Sequence, residues 1–167
     1  MRVKEYWSNN ADYYREIWGG NKLELKALVI DDSEMMRQMV MRSLRRAGLG
    51  DFDFVEAADG DEGLKLFDPK VFDIIFVDWN MPNMSGIDFV KAIRRLDGGE
   101  KLPIIMVMSE RTMGKIEEAM DYAGATGFIS KPFTEDDLYG KLKNVVEDIT
   151  ASKQKKPKGF FSKLMGA

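Results

Sequence analysis

The chain has 167 residues, of which 44% are hydrophobic and 32% are charged, and its formal net charge is -3. This composition is typical of a globular domain with short extensions, and the small net charge offers no general attraction to nucleic acid. The chain contains neither Cys nor His, which excludes disulfides, thiolate chemistry, His-based triads and His metal ligands. No apolar run could span a bilayer, and the N-terminus lacks the apolar core of a secretory signal, so we expect a cytoplasmic protein with no transmembrane segment.

Residues 1–23 differ from the rest of the chain because their aromatic side chains come in pairs. The pairs Tyr6-Trp7, Tyr13-Tyr14 and Ile17-Trp18 are seven and then four residues apart, which places them on one face of a predicted helix. Gly19-Gly20-Asn21 would end this helix. Two interpretations stay open: the helix packs on its own domain or frays in solvent, or it docks on a partner through Trp and Tyr anchors.

Strand and helix patterns alternate five times between residues 24 and 149, which we predict to be one domain. The predicted strands are Leu25–Ile30, Phe52–Ala57, Ile74–Val77, Pro103–Met108 and Gly127–Ser130. Helices are predicted from Ser33 to Gly48, around Leu64 and Phe67, from Ser85 to Leu96, from Met113 to Ala123, and from Thr134 to about Ile149. Such alternation predicts an α/β fold with a doubly wound parallel sheet, helices on both faces and right-handed crossovers.

Polar residues follow four of the predicted strands. Asp31 and Asp32 follow the first strand, Asp78 the third, Ser109 the fourth and Lys131 the fifth. The carboxyl ends of parallel strands lie at one edge of the sheet, so we expect these side chains to converge. Ligands restricted to oxygen favour a hard cation such as Mg²⁺, and a carboxylate beside it can attack a phosphoryl group. Lys131 and Ser109 would then stabilise the charge on the phosphoryl oxygens.

Several motifs together resemble the receiver domain of bacterial response regulators, and within that family the chemotaxis regulators. They are LVIDDSEMMR (Leu28 to Arg37), DWNMPNMSG (Asp78 to Gly86), Ser109, and GATGFISKPF (Gly124 to Phe133). The resemblance covers residues 24–149 and implies a flavodoxin-like (βα)5 fold with strand order 2-1-3-4-5. It further implies a stand-alone phosphoprotein of two-component signalling that catalyses only its own phosphorylation and dephosphorylation and is not otherwise an enzyme.

The resemblance implies a metal and phosphorylation site. Asp78 would accept a phosphoryl group from a phosphohistidine on a separate histidine kinase. Asp32 would bind Mg²⁺ directly and Asp31 through a water molecule. Asn80 would offer its backbone carbonyl to the same ion, and Mn²⁺ could replace Mg²⁺.

The resemblance also implies a switch. Lys131 would hold a phosphoryl oxygen, and Pro132 would follow a cis peptide bond. Ser109 would move toward the phosphoryl group, and Phe128 would turn inward with it. A surface within Met113–Ile149 would then change its affinity for a downstream protein.

Four residues depart from the chemotaxis pattern. Ser109 stands in place of the commoner Thr, and Ser85 stands where Asp usually precedes Gly86, which we expect to change only a helix cap. Phe128 stands where those regulators carry Tyr, so a phenolic hydroxyl is missing. Arg111 stands where they carry Glu, near the mouth of the site in that family. We expect the charge change to affect phosphatase partnering or autodephosphorylation.

Residues 150–167 are predicted to be a basic linker followed by an amphipathic tail. Four lysines flank Pro157, and the segment Phe160–Met165 could form one apolar helical face. Three interpretations stay open: a disordered end, a docking peptide for a partner, and a contact with an anionic membrane or recruitment to a membrane-associated complex. The tail is too short for a helix-turn-helix unit, so no DNA binding is expected.

Two other functions are compatible with part of the pattern. A phosphatase of the haloacid dehalogenase type also uses a strand-end Asp, but it needs a second Asp where this chain has Asn80. A pseudo-receiver would bind partners without phosphorylation, although every chemical position is filled here. Turnover of a phosphate ester would identify the first, and failure to take up a phosphoryl analogue would identify the second.

Overall fold

Five strands and five helices alternate along residues 24–155, the part of the chain that the computed structural model describes. The strands are β1 (Glu24–Ile30), β2 (Asp51–Ala57), β3 (Ile74–Asp78), β4 (Ile104–Met108) and β5 (Gly127–Ser130). The helices are α1 (Glu34–Ala47), α2 (Gly60–Leu66), α3 (Gly86–Arg94), α4 (Met113–Glu117, continued by a π-helical turn at Glu118–Tyr122) and α5 (Glu135–Lys155). The predicted aromatic helix in residues 1–23 and the Phe160–Met165 tail lie outside the described residues.

All strand pairs in the described sheet are parallel, and the strand order is β2-β1-β3-β4-β5. This confirms the predicted doubly wound, flavodoxin-like fold. In the register, Ile30 pairs with both Ala57 and Val77, and Asp78 pairs with Val107. The carboxyl ends of these strands therefore lie side by side at one edge.

The sequences of the central strands do not alternate between apolar and polar residues, and the burial of these strands explains why. All five residues of β3 and of β4 are buried, because helices cover both faces of the sheet. Ile74 and Phe76 pack into the core beneath α1 and α5, whereas Ile75 and Val77 face the core that includes α3. A continuous apolar run is the sequence pattern that two buried faces require.

The helices begin at the predicted polar caps. Ser33 Oγ accepts the N–H of Met36, and Ser85 Oγ accepts the N–H of Asp88. Thr134 Oγ1 accepts the N–H of Asp137 at 3.1 Å. These caps fix where each helix leaves the edge that carries the polar strand ends.

Helix α5 is longer than predicted, and residues 150–155 belong to it rather than to the predicted basic linker. The predicted end at about Ile149 was wrong because tertiary contacts continue past it. Thr150 is buried and its hydroxyl donates to the carbonyl of Val146. Lys153 Nζ, one turn further on, donates to the carbonyl of Glu24 at 2.8 Å. The polar composition of this segment did not indicate these contacts.

The predicted helices differ from the observed ones at three further places. Helix α2 ends at Leu66, so Phe67, which was predicted to lie inside it, is its C-cap. Helix α3 ends at Arg94, two residues before the predicted Leu96. The segment predicted as one helix, Met113–Ala123, widens into a π-helical turn, in which Ala123 N–H donates to the Glu118 carbonyl. This turn buries both Ala119 and Ala123 against the sheet. None of the helices within residues 24–155 is long and apolar enough to cross a membrane.

Candidate functional site

Four of the predicted site residues come together at the carboxyl edge of the sheet. Lys131 Nζ lies 2.8 Å from Asp78 Oδ1 and 3.5 Å from Asp31 Oδ2. Carboxylate oxygens of Asp31, Asp32 and Asp78 all lie within 4.8 Å of one another. Asp31 and Asp78 are buried, whereas Asp32 is exposed to solvent. The site is therefore a carboxylate cluster that opens to solvent on the Asp32 side.

The loop after β3 holds Asp78 in place through its backbone. Asn80 N–H donates to Asp78 Oδ2 at 2.9 Å, and Trp79 N–H continues the sheet pairing to the carbonyl of Val107. Gly86 closes the loop, since its N–H donates to the Trp79 carbonyl at 3.0 Å. A Cβ at Gly86 would overlap the carbonyl oxygen of Asp78, so this position requires glycine.

A different set of contacts orients the first carboxylate. Asp31 Oδ1 accepts the N–H of Ser33 at 2.9 Å, in a turn that leads into α1. The Arg37 guanidinium donates to the Asp31 backbone carbonyl at 2.7 Å and forms an ion pair with Glu56 at 2.9 Å. No sequence motif predicts this role for Arg37. Its only signal was its position in the first turn of α1, five residues after Asp32.

The site carries a net negative charge. Burial raises the pKa of Asp31, and repulsion from Asp78 and Asp32 adds to this, while the Ser33 N–H and Lys131 oppose it. One lysine faces three carboxylates, which leaves an excess of negative charge in a half-enclosed place. The donor set contains only oxygen, as hard cations such as Mg²⁺ prefer. The residues present therefore fit a magnesium ion.

The remaining predicted residues lie around this cluster. The peptide bond between Lys131 and Pro132 is cis, as the resemblance implies. Lys131 N–H donates to the Met108 carbonyl at 2.7 Å, which extends the β4–β5 pairing to the site. Ser109 follows β4 and is exposed, and Phe128 lies half-buried in β5. The structure thus gathers the carboxylates and Lys131 and leaves Ser109 at the rim.

Two lysines whose contacts no sequence motif predicts flank the site. Lys115 lies over the ring of Trp79 with its Nζ 5.5 Å from the centroid, and it also pairs with Glu110 at 2.8 Å. Lys141 lies over the ring of Phe128. These contacts join residues from different elements, so local sequence patterns do not reveal them.

Comparisons with known proteins agree with this geometry. The family model for the response regulator receiver domain matches residues 27–143. The chemotaxis protein CheY of Pseudomonas aeruginosa is 37% identical over 125 residues, which are 75% of this chain and 98% of that protein. The crystallised chemotaxis protein CheY4 of Vibrio cholerae is 39% identical, with a TM-score of 0.65, over 74% of this chain and 99% of that one.

A more distant structure shares the fold. The receiver domain of the sensor histidine kinase PA1611 from Pseudomonas aeruginosa PAO1 is 22% identical, with a TM-score of 0.64, over 75% of this chain and 99% of its own. That structure has a magnesium ion coordinated in its active site cleft. The matched family model spans more than half of the present chain and the carboxylate cluster lies inside it, so the chain belongs to the response regulator receiver domain family and is CheY-like.

Proposed function

We propose that this chain accepts a phosphoryl group on Asp78 from a phosphohistidine of a histidine kinase, in a Mg²⁺-dependent reaction, and then switches a protein-binding surface. The observation that carries the proposal is the contact of Lys131 with Asp78 inside a three-carboxylate cluster. Membership of the receiver family and similarity to chemotaxis regulators support it. CheY-like receivers are signalling proteins, and the phosphorylated domain would act by binding a downstream protein.

The chemistry of Asp78 supports its role as the nucleophile. A carboxylate oxygen of Asp78 attacks phosphorus, the new P–O bond forms, and the P–N bond to the imidazole breaks. The leaving nitrogen keeps the electron pair and takes a proton from solvent. The two Asp78 oxygens have different partners, since Oδ1 contacts Lys131 and Oδ2 accepts the N–H of Asn80. These contacts orient the carboxylate before the phosphoryl group arrives.

The metal would be held by Asp31, Asp32, Asp78 and the backbone carbonyl of Asn80. When bound, Mg²⁺ supplies positive charge for the carboxylates and for a phosphoryl oxygen. Lys131 adds a second positive charge next to Asp78, and it is well placed to bind another phosphoryl oxygen. The acidic cluster and the magnesium-containing receiver domain of PA1611 both support this assignment.

Ser109 and Phe128 would couple the site to the surface. Phosphorylation would draw the exposed Ser109 inward, and Phe128 would turn into the space that opens. The surface within Met113–Ile149, which includes α4, β5 and α5, would then bind its downstream protein differently. A packing element with two states, biased by a new charge, is the general form of such a switch.

Binding of a phosphoryl analogue tests the proposal directly. Beryllofluoride would be titrated with Mg²⁺ while the fluorescence of Trp79 is followed, with Trp7 and Trp18 replaced by Phe. A saturable, Mg²⁺-dependent change is expected, and Asp78→Asn should abolish it. A mass gain of one phosphoryl group after incubation with phosphoramidate, absent in Asp78→Asn, would establish the covalent step.

Two other outcomes identify the alternatives, one from this titration and one from a separate hydrolysis assay. If neither fluorescence nor calorimetry detects beryllofluoride binding, the chain is a pseudo-receiver and the proposal is wrong. Steady release of phosphate from an aryl phosphate would indicate a phosphatase instead.

A further inference from the structure

Two cations lie over the ring of Phe128, and neither belongs to the carboxylate site. Lys141 Nζ, from α5, lies 4.2 Å from the ring centroid. Arg111 Cζ, from the loop between β4 and α4, lies 5.8 Å from it. The face of an aromatic ring carries partial negative charge and attracts cations at these distances. Phe128 is therefore contacted from two separate elements through its ring face.

The position of Lys141 is set by a second contact. Its Nζ donates to the backbone carbonyl of Phe128 at 3.4 Å, so the ammonium group is held against both the backbone and the ring of one residue. Burial lowers the pKa of Lys141, and the proximity of Arg111 lowers it further. The two cations thus repel each other and still share the ring.

Among residues 24–155, neither cation has a carboxylate partner that would explain its place. Within the described residues, no ion pair of 4.0 Å or less involves Arg111 or Lys141. Asp137 acts on Lys141 only from a distance, one helical turn away. The aromatic ring is the group that both cations approach. Because Phe lacks a hydroxyl, its ring face is also the only polar feature of this side chain that a neighbour can bind.

We propose that Arg111 and Lys141 are positioning residues that hold Phe128 in its half-buried placement and so oppose the inward state of the switch. This inference rests on the proposed function, because it concerns the residue that would turn inward on phosphorylation. Both contacts exist in the half-buried placement of Phe128 that the structure shows, and we expect them to be lost when the ring turns further inward. By linkage, a contact made only in this placement weakens the binding of any phosphoryl analogue that favours the inward state.

The expected size of the effect follows from the strength of a cation–aromatic contact at a partly exposed position. Removing one such contact shifts the two-state equilibrium by about two- to fivefold. Lys141 should have the larger effect because it lies closer to the ring and also binds the backbone. Arg111 should have an effect at or below the lower end of this range.

The test measures the beryllofluoride midpoint at saturating Mg²⁺ in the background that retains only Trp79. Lys141→Met keeps the length of the side chain and removes its charge. We expect it to lower the midpoint by about two- to fivefold, and we expect Lys141→Arg to retain the wild-type midpoint. Lys143→Met is the matched control, since it removes an exposed lysine from the same helix away from the ring. It should leave the midpoint unchanged.

The direction of the shift separates this proposal from a simple effect of charge. Beryllofluoride binds as an anion, so loss of a nearby cation would raise the midpoint if only the electrostatic field mattered. A raised or unchanged midpoint in Lys141→Met, with normal binding by the wild type, overturns the inference and leaves the proposed function intact. Failure of the wild type to bind would instead refute the proposed function.

A double-mutant cycle tests whether the effect passes through the ring. In a Phe128→Leu background, which has no aromatic face, Lys141→Met should no longer change the midpoint. An equal shift in both backgrounds would show that Lys141 acts on something other than Phe128 and would overturn the inference. Each variant alters a half-buried or exposed side chain, and thermal unfolding of each confirms that it is folded.

Discussion

The two edges of the sheet both join lysine to aspartate, yet they differ in charge balance. At the carboxyl edge, Lys131 contacts Asp31 and Asp78, and Asp32 completes the carboxylate cluster. At the amino edge, Asp73 accepts both the N–H of Lys26 at 2.8 Å and Lys153 Nζ at 2.7 Å. The first edge keeps an excess of negative charge, and the second is neutralised.

This difference separates the site proposed to be reactive from a structural one. The amino-edge carboxylate has its partners within the fold, and these partners connect the starts of β1 and β3 to the end of α5. Lys26 also pairs with Asp53 at 2.6 Å, which ties β1 to β2. The carboxyl-edge cluster has more carboxylates than cationic partners, and this excess of negative charge is what suits it to the proposed Mg²⁺ binding and phosphoryl chemistry.

The largest expected effect comes from replacing the lysine of the carboxyl edge by a neutral side chain, with the lysine of the amino edge as the control. Lys131→Met should slow phosphorylation of Asp78 by about 100-fold, because it removes a charge that stabilises the transferring group. Lys153→Met should leave this rate within about twofold, because its lysine acts at the opposite edge. Phosphotransfer from phosphoramidate, followed by intact-protein mass, measures both rates. Equal rates in the two variants would contradict the comparison.

A second prediction concerns the glycine that closes the loop beneath Asp78. Gly86→Ala should lower the free energy of unfolding by about 2–3 kcal/mol, because its Cβ would overlap the Asp78 carbonyl. Gly140→Ala is the matched control, since a Cβ in the middle of α5 would meet nothing within 4 Å. It should raise stability by about 0.8–1 kcal/mol through helix propensity. Urea unfolding measures both, and a similar change in the two variants would refute the structural reason.

A third prediction gives opposite signs to the same substitution at the two edges. Without Mg²⁺, Asp31→Asn should raise the free energy of unfolding by about 1 kcal/mol, because it relieves repulsion among the clustered carboxylates. Asp73→Asn should lower it by about 1 kcal/mol, because it weakens two charge-assisted hydrogen bonds. Added Mg²⁺ should stabilise the wild type and not Asp31→Asn. Destabilisation by both variants would show that the carboxyl edge is as well neutralised as the amino edge.

The smallest expected effect is on the anchoring of the last turns of α5. Lys153→Met should lower the free energy of unfolding by about 0.5–1 kcal/mol, since its ion pair with Asp73 is partly exposed to solvent. The loss should shrink at high salt, which screens such pairs. Thermal unfolding at low and high ionic strength measures it. A loss that is independent of salt would assign the effect to the hydrogen bond with the Glu24 carbonyl instead.

Much of the site could be predicted because, in a parallel sheet, residues that follow the strands in the sequence lie at the same edge of the sheet. Each strand end was marked by a change from buried apolar residues to a polar one, as at Asp31, Asp78 and Lys131. Once the strands were predicted to be parallel, these residues had to share an edge. The motif around Asp78 was among those that indicated the receiver family, and the strand order was then inferred from the known fold of that family.

The chain by itself therefore determined the order of elements, the buried character of β3 and β4, and the membership of the carboxylate cluster. Tertiary structure decided which charges meet. Lys131 contacts Asp78 across 53 positions, and Lys153 contacts Asp73 across 80 and Glu24 across 129. It also set the true end of α5 and brought Lys141 over Phe128. Local patterns report burial and periodicity, whereas these pairings depend on how distant segments pack, so they emerge only once the sheet and its helices are assembled.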